Sequence, residues 1–141
     1  MMLGSNDMRR KPSVAIVNNE RIIATSLRMA LEAEGFLVRT YADTASALGL
    51  IDDPADIALL DKTNPPLGGI ELFRRLRSAH SMPVIFLSAW AEELQDELEG
   101  TEFRAEEYIS LPFSQRMVIA RVSELLRRFP PKPAIALVVM R

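Results

Sequence analysis

Four groups in this chain could do chemistry together, because each directly follows a short apolar run. V-A-I-V leads into Asn18, Asn19 and Glu20, I-A-L-L into Asp61, V-I-F-L into Ser88, and a shorter run closes on Ser110. Carboxylate, amide and hydroxyl oxygens are the donors that a hard cation takes, but an amide brings no charge to it. The adjacent amides of Asn18 and Asn19 therefore pose the first question: what they stand in for, and whether the site they line still does chemistry. The chain has no cysteine, which excludes thiol catalysis, disulfides and thiolate metal sites. No glycine-rich loop follows any of the runs, which counts against a nucleotide-binding enzyme. No Ser/Thr/Gly cluster follows the first run, so a flavodoxin-like redox protein finds no support either. His80, the one histidine, has no visible ligand partner and reads as a solvated loop residue.

The elements that must position these groups are legible from hydrophobic periodicity. Residues 14–17, 37–41, 57–60, 83–87 and 107–110 read as strands. Between them, 21–34 places Ile23, Leu27, Ala30 and Leu31 on one helical face, with Gly35 as a stop signal. Asp43 or Thr44 caps a short helix through Leu50, bounded by Pro54. Residues 70–78, an acidic stretch at 91–100, and 114–128 complete five helices. Strands alternating with helices predict an α/β fold, a five-stranded doubly wound parallel sheet with helices on both faces. In such sheets ligands bind beyond the carboxyl ends of the strands, where Asn18, Asn19, Asp61 and Ser88 fall.

The bulk composition fits one domain of this kind. Of 141 residues, 48% are hydrophobic and 26% charged, which is enough apolar material for one core. A net charge of −2 gives no field drawing the molecule onto DNA or an anionic membrane. The arginines at 74, 75, 77, 127 and 128 read as solvated helix faces without interleaved aromatics, so no direct nucleic-acid contact is expected. No apolar run approaches the ~20 residues of a membrane span, and the leader has no apolar h-region, so a cytoplasmic protein is expected. Residues 1–12 read as a flexible leader, 13–128 as the domain, and 129–141 as a stiff F-P-P-K-P linker with an apolar tail.

Four segments together, V-N-N-E, L-L-D-K-T-N-P-P-L-G-G-I-E-L, V-I-F-L-S-A and Y-I-S-L-P-F-S, resemble a response-regulator receiver domain of the CheY-like superfamily over residues 13–128. E-A-E-G-F, P-F-S-Q-R and R-V-S-E-L-L-R-R are similar to the ChvI branch, whose members carry a winged-helix DNA-binding domain. The resemblance implies a flavodoxin-like fold, Asp61 at the phosphoacceptor position, Ser88 and Tyr108 at the switch positions, and the Thr63 carbonyl as a metal ligand. It also implies a sensor histidine kinase or other signalling protein as partner, and a homodimer through the fourth helix, fifth strand and fifth helix.

The departures from the family are equally specific. Asn18 and Asn19 stand where it has two carboxylates, Leu111 where it has lysine, Gly68 where it has an acidic turn residue, and Arg104 where it has glycine. Two amides in place of two carboxylates remove two units of attraction for Mg²⁺. One pair of unit charges is worth about 4 kcal/mol at 4 Å in an effective dielectric of ~20, before desolvation, and a unit charge against a divalent ion is worth more. Leu111 also removes the cation that would pair with a phosphoryl oxygen. Glu20 and Lys62 are the nearby compensators, and strand alternation points Lys62 to the other face from Asp61. The expectation is a non-enzymatic pseudo-receiver with no cofactor of its own, acting as an interaction module. The alternative is a conventional regulator phosphorylated on Asp61 that controls transcription through a winged-helix domain.

Overall fold

Strand residues at odd and even positions must face opposite sides of a sheet, and here both sets are apolar, so both faces must be covered. The computed structural model describes residues 11–63, 65–89, 91–99, 105–110 and 112–131. Trp90, Arg104, Leu111, most of the leader and the apolar tail lie outside the described residues.

The elements run β1 (Ser13–Val17), α1 (Arg21–Ala33), β2 (Leu37–Tyr41), α2 (Thr44–Ala47, continued by a 3-10 turn, Leu48–Ile51), β3 (Ile57–Asp61), α3 (Gly69–Ala79), β4 (Val84–Ser88), α4 (Ala91–Glu99), β5 (Glu107–Ser110) and α5 (Gln115–Arg128). All neighbouring strands are parallel, in the order β2-β1-β3-β4-β5. This is the doubly wound sheet expected from the sequence.

Alternation splits the core in two. Val14, Ile16, Ile57, Leu59, Ile85 and Leu87 pack with Leu27 and Leu31 of α1 and Val118, Val122 and Leu125 of α5. Ala15, Val17, Ala58, Leu60, Val84 and Phe86 pack instead with α2, with Leu72, Phe73 and Leu76 of α3, and with Leu94 and Leu98 of α4.

Local chemistry sets the helix starts. Asp43 caps α2 by accepting from Ser46 N at 2.7 Å, and Ser114 caps α5 by accepting from Met117 N at 3.0 Å. After α1, Gly35 takes φ 96°, a left-handed value that a glycine adopts without strain.

Two expectations about the lower rim, where the strands begin, are corrected. Arg77 is not a solvated face: its guanidinium lies 2.8 Å from Glu106 Oε1 and 4.8 Å above the Phe73 ring, and it donates to the Met82 carbonyl. Glu106 Oε1 also accepts from Val84 N at 2.7 Å, while Glu106 N donates to Val84 O at 3.0 Å. His80 is half-buried, with Nε2 2.6 Å from the Ile51 carbonyl oxygen, because the α3–β4 connection packs against the turn after α2.

Candidate functional site

The strand order changes direction between β1 and β3, and a crevice opens beyond their carboxyl ends at such a switch point. Val17 is in register with Leu60, so Asn18 and Asp61 are the next residues on adjacent strands, which lie ~5 Å apart. On the other side Asp61 is in register with Leu87 and Ser88 with Ser110. The fold thus gathers Asn18, Asn19, Glu20, Asp61, Thr63 and Ser88 at one rim, as the sequence reading expected.

Each polar group there has a describable state. Asn18 is only 7% exposed; its Oδ1 accepts from Glu20 N at 2.7 Å, and its own N donates to the Tyr41 carbonyl. The side chain therefore closes the turn into α1, a role that Asn fills readily. Asn19 and Glu20 are exposed. Ser88 is 4% exposed at the end of β4.

Asp61 is half-buried, and Thr63 N at 3.4 Å and Thr63 Oγ1 at 3.5 Å are long partners for it. Its carboxyl is pushed above the usual carboxylate range. Burial is the main cause, opposed by the Thr63 hydrogen bonds and reinforced by the negative charge of Glu20.

The loop after β3 is held from two sides. Thr44, fully buried, donates its N–H to the Pro65 carbonyl at 2.9 Å, and its hydroxyl accepts from Leu67 N at 2.8 Å. Gly69 packs so close to the acceptor strand that a Cβ there would sit 2.4 Å from the Asp61 carbonyl oxygen and 2.9 Å from Lys62 Cα. Gly69 N donates to the Lys62 carbonyl at 2.7 Å, and Gly68 turns the chain with φ 84°. In the sequence, Gly68-Gly69 marks only a break between β3 and α3, and Thr44 only a helix cap. The close approach depends on a neighbour eight positions away, which no local pattern encodes. We expect Thr44→Val, which strands the Leu67 N–H, to cost about 1–2 kcal/mol in a denaturant melt, with Thr44→Ser losing less.

Tyr108 is turned into the core. Its ring stacks on Phe86 at 6.1 Å and 11°, and its hydroxyl accepts from Ala105 N at 3.4 Å. Lys62 shares the parity of Ala58 and Leu60, and its Nζ reaches Glu97 Oε1 of α4 at 3.3 Å. The site as described thus has an uncompensated acceptor carboxylate, an amide engaged in the turn, and a neighbouring cation drawn away to α4.

Residues 14–123 match the family model described as response regulator receiver domain. The transcriptional regulatory protein CpxR of Escherichia coli (strain K12) is 39% identical over 115 residues, covering 82% of this chain and 49% of CpxR. The transcriptional regulatory protein CseB of Streptomyces coelicolor is 38% identical over 123 residues, covering 86% of this chain and 52% of CseB. The chain therefore spans about half the length of the curated relatives it matches. Among solved structures, the receiver domain of Francisella response regulator 1452 superposes with a TM-score of 0.75 at 30% identity, covering 84% of this chain and 98% of that one. A family model matching most of the chain, relatives of this similarity and the superposition agree, and the chain belongs to the response regulator receiver domain family.

Proposed function

We propose that this receiver is a signalling interaction module in which magnesium-dependent phosphorylation of Asp61 is strongly weakened. The observation that carries the reading is the engagement of Asn18 Oδ1 by Glu20 N. A carboxylate in this place could accept the same hydrogen bond with one oxygen and offer the other to a cation. The amide offers its NH₂ instead, whose hydrogens repel a cation.

The donors left to magnesium are Asp61, the exposed carboxylate of Glu20, the amide of Asn19 and the carbonyl of Thr63. A hard divalent ion prefers more carboxylate oxygen than this, in near-octahedral geometry. Among the described residues, no group of three or more His, Cys, Asp or Glu side chains could hold a metal ion. This donor set does not fit magnesium well.

The working surface on this reading is the face made by α4, β5 and α5, through which a second copy binds; the chain is not an enzyme. A histidine kinase or other signalling protein is the partner. The apolar surface beside α1, where Ile22 is 84% exposed at a groove of about 300 Å³ lined also by Ile23, Leu27 and Phe113, suits a protein partner. No helix among the described residues is long and apolar enough to cross a membrane. The segments E-A-E-G-F, P-F-S-Q-R and R-V-S-E-L-L-R-R support kinship with the ChvI branch.

Intact-mass measurement after incubation with acetyl phosphate and Mg²⁺ tests the reading, and no adduct is expected. The second reading, a conventional regulator acting through a winged-helix domain, is favoured by the retention of Asp61 and Ser88 at their strand ends. A gain of one phosphoryl group that disappears in Asp61→Asn would establish that reading instead.

The state of Asp61 makes a separate prediction. Because its folded pKa is raised, its contribution to stability is fully present below the unfolded carboxylate value near ~4 and is lost as pH rises through the folded value. Asp61→Asn is therefore expected to raise Tm by a few degrees at pH 7, and the gain should shrink as the pH is lowered through the carboxylate range.

A further inference from the structure

We infer that the apolar tail, residues 134–140, folds back on its own domain and seats in a groove at the lower rim, beside the end of α5. The inference is independent of the chemistry at Asp61, which lies at the opposite rim.

The groove has a volume of about 500 Å³ and three walls: residues 54–56 ahead of β3, residues 80–83 between α3 and β4, and residues 128–131 at the end of α5. Its larger polar members are already engaged within the domain. The Asp56 carboxylate accepts from Ser13 N at 2.7 Å and from Ser13 Oγ at 3.2 Å. His80 Nε2 lies 2.6 Å from the Ile51 carbonyl oxygen, and the Arg128 guanidinium lies 5.5 Å from the centre of the Phe129 ring. The rest of the lining, apart from Ser81, is apolar: Ala55 and Met82 are nearly buried, prolines stand on every wall, and Phe129 is left 41% exposed. A groove whose charges are engaged at home and whose aromatic wall is bare suits an apolar segment better than a charged ligand.

The occupant follows from where the chain goes next. Residues 128–131 are both a wall of the groove and the residues that lead into the tail, so the chain leaves the domain along the groove itself. Only Lys132 and Pro133 separate that wall from Ala134, a span of roughly 9 Å at the ~3.1 Å per residue of polyproline geometry. The A-I-A-L-V-V-M that follows has no charge, proline or glycine, and in extended form alternation sets Ile135, Leu137 and Val139 on one side. Left uncovered, a run of this kind invites association with other chains. A tether this short gives an effective concentration of millimolar order, which a second copy at micromolar concentration cannot match. The chain's own tail therefore outcompetes a neighbour's.

Because the chain has no cysteine, a disulfide trap in the full chain reads this out without background. Leu137→Cys is combined either with Ser81→Cys, in the groove, or with Glu34→Cys, exposed at the same rim where α1 ends. Mild oxidation is expected to close an intramolecular disulfide about tenfold faster in the Ser81 pair, because a seated thiol is held within bonding distance while a merely tethered one must search. Adding Ile135→Asn and Val139→Asn should erase that preference. In the chain without cysteines, the same two asparagines should speed hydrogen exchange of the 80–83 peptide severalfold and leave β1 unchanged. Equal rates for the two pairs, a preference that survives the asparagines, or groove exchange that they leave unaltered would each overturn the inference. Disulfides joining two chains would give the groove to a second copy and overturn it as well.

Discussion

Phe86→Ala is expected to cost about 3–5 kcal/mol, the usual loss for truncating a buried aromatic. The side chain is 0% exposed and joins two other rings. It meets Phe73 edge-on, with centroids 5.4 Å apart and planes at 78°, and Tyr108 face-on at 6.1 Å and 11°. Such pairs add about 0.5–1.5 kcal/mol beyond the area they bury. At roughly 4 °C per kcal/mol for a domain of this size, Tm should fall by about 12–20 °C. A guanidinium melt should show a lower midpoint at unchanged slope. Phe86→Leu, which keeps most of the volume, should lose less than half as much. Similar losses for the two variants would mean that the site tolerates no change of shape at all, contrary to a cost dominated by the cavity.

Gly69→Ala tests the close approach behind the acceptor residue, and its sign is the result that matters. In the first turn of a helix this change ordinarily helps, by up to about 1 kcal/mol, since alanine is the better helix former and restricts the unfolded chain. Here the new methyl would stand 2.4 Å from the Asp61 carbonyl oxygen and 3.0 Å from its carbonyl carbon. Both atoms are backbone at the end of β3, so relief requires α3 to move away and the 2.7 Å bond from Gly69 N to Lys62 O to break. The expected outcome is a loss of about 1–3 kcal/mol, as for other overpacking changes. Gly49, where a Cβ would meet nothing within 4 Å, is the control, and its alanine variant should be neutral or more stable. A stabilised Gly69→Ala would mean that α3 does not approach the strand this closely.

Much of this could be read in the amino-acid sequence, because it depends on runs and periods. The apolar segments ending at Val17, Leu60 and Leu87 and the periodic faces of α1 and α5 specify a two-sided parallel sheet, and the sheet then carries Asn18, Asp61 and Ser88 to one rim. What escaped the sequence depends on distances across the fold. Glu97 lies 35 positions beyond Lys62, and its acid-rich helix reads as solvated surface until the two elements are packed. Arg77 looked equally exposed, because nothing in R-R-L-R-S says that Glu106 and the Phe73 ring will enclose it. His80 was misread for the same reason, its partner being a carbonyl, which leaves no mark in a pattern of side chains.

The bracket at Glu106 limits how the sheet can move. Its carboxylate and its N–H both engage Val84, and Arg77 fastens the same carboxylate to α3, so the first residues of β4 and β5 are pinned to each other and to a helix. Any displacement of β5 has its fulcrum there. It must be a swing rather than a slide, smallest at the pinned end and growing along the strand toward Ser88 and Ser110.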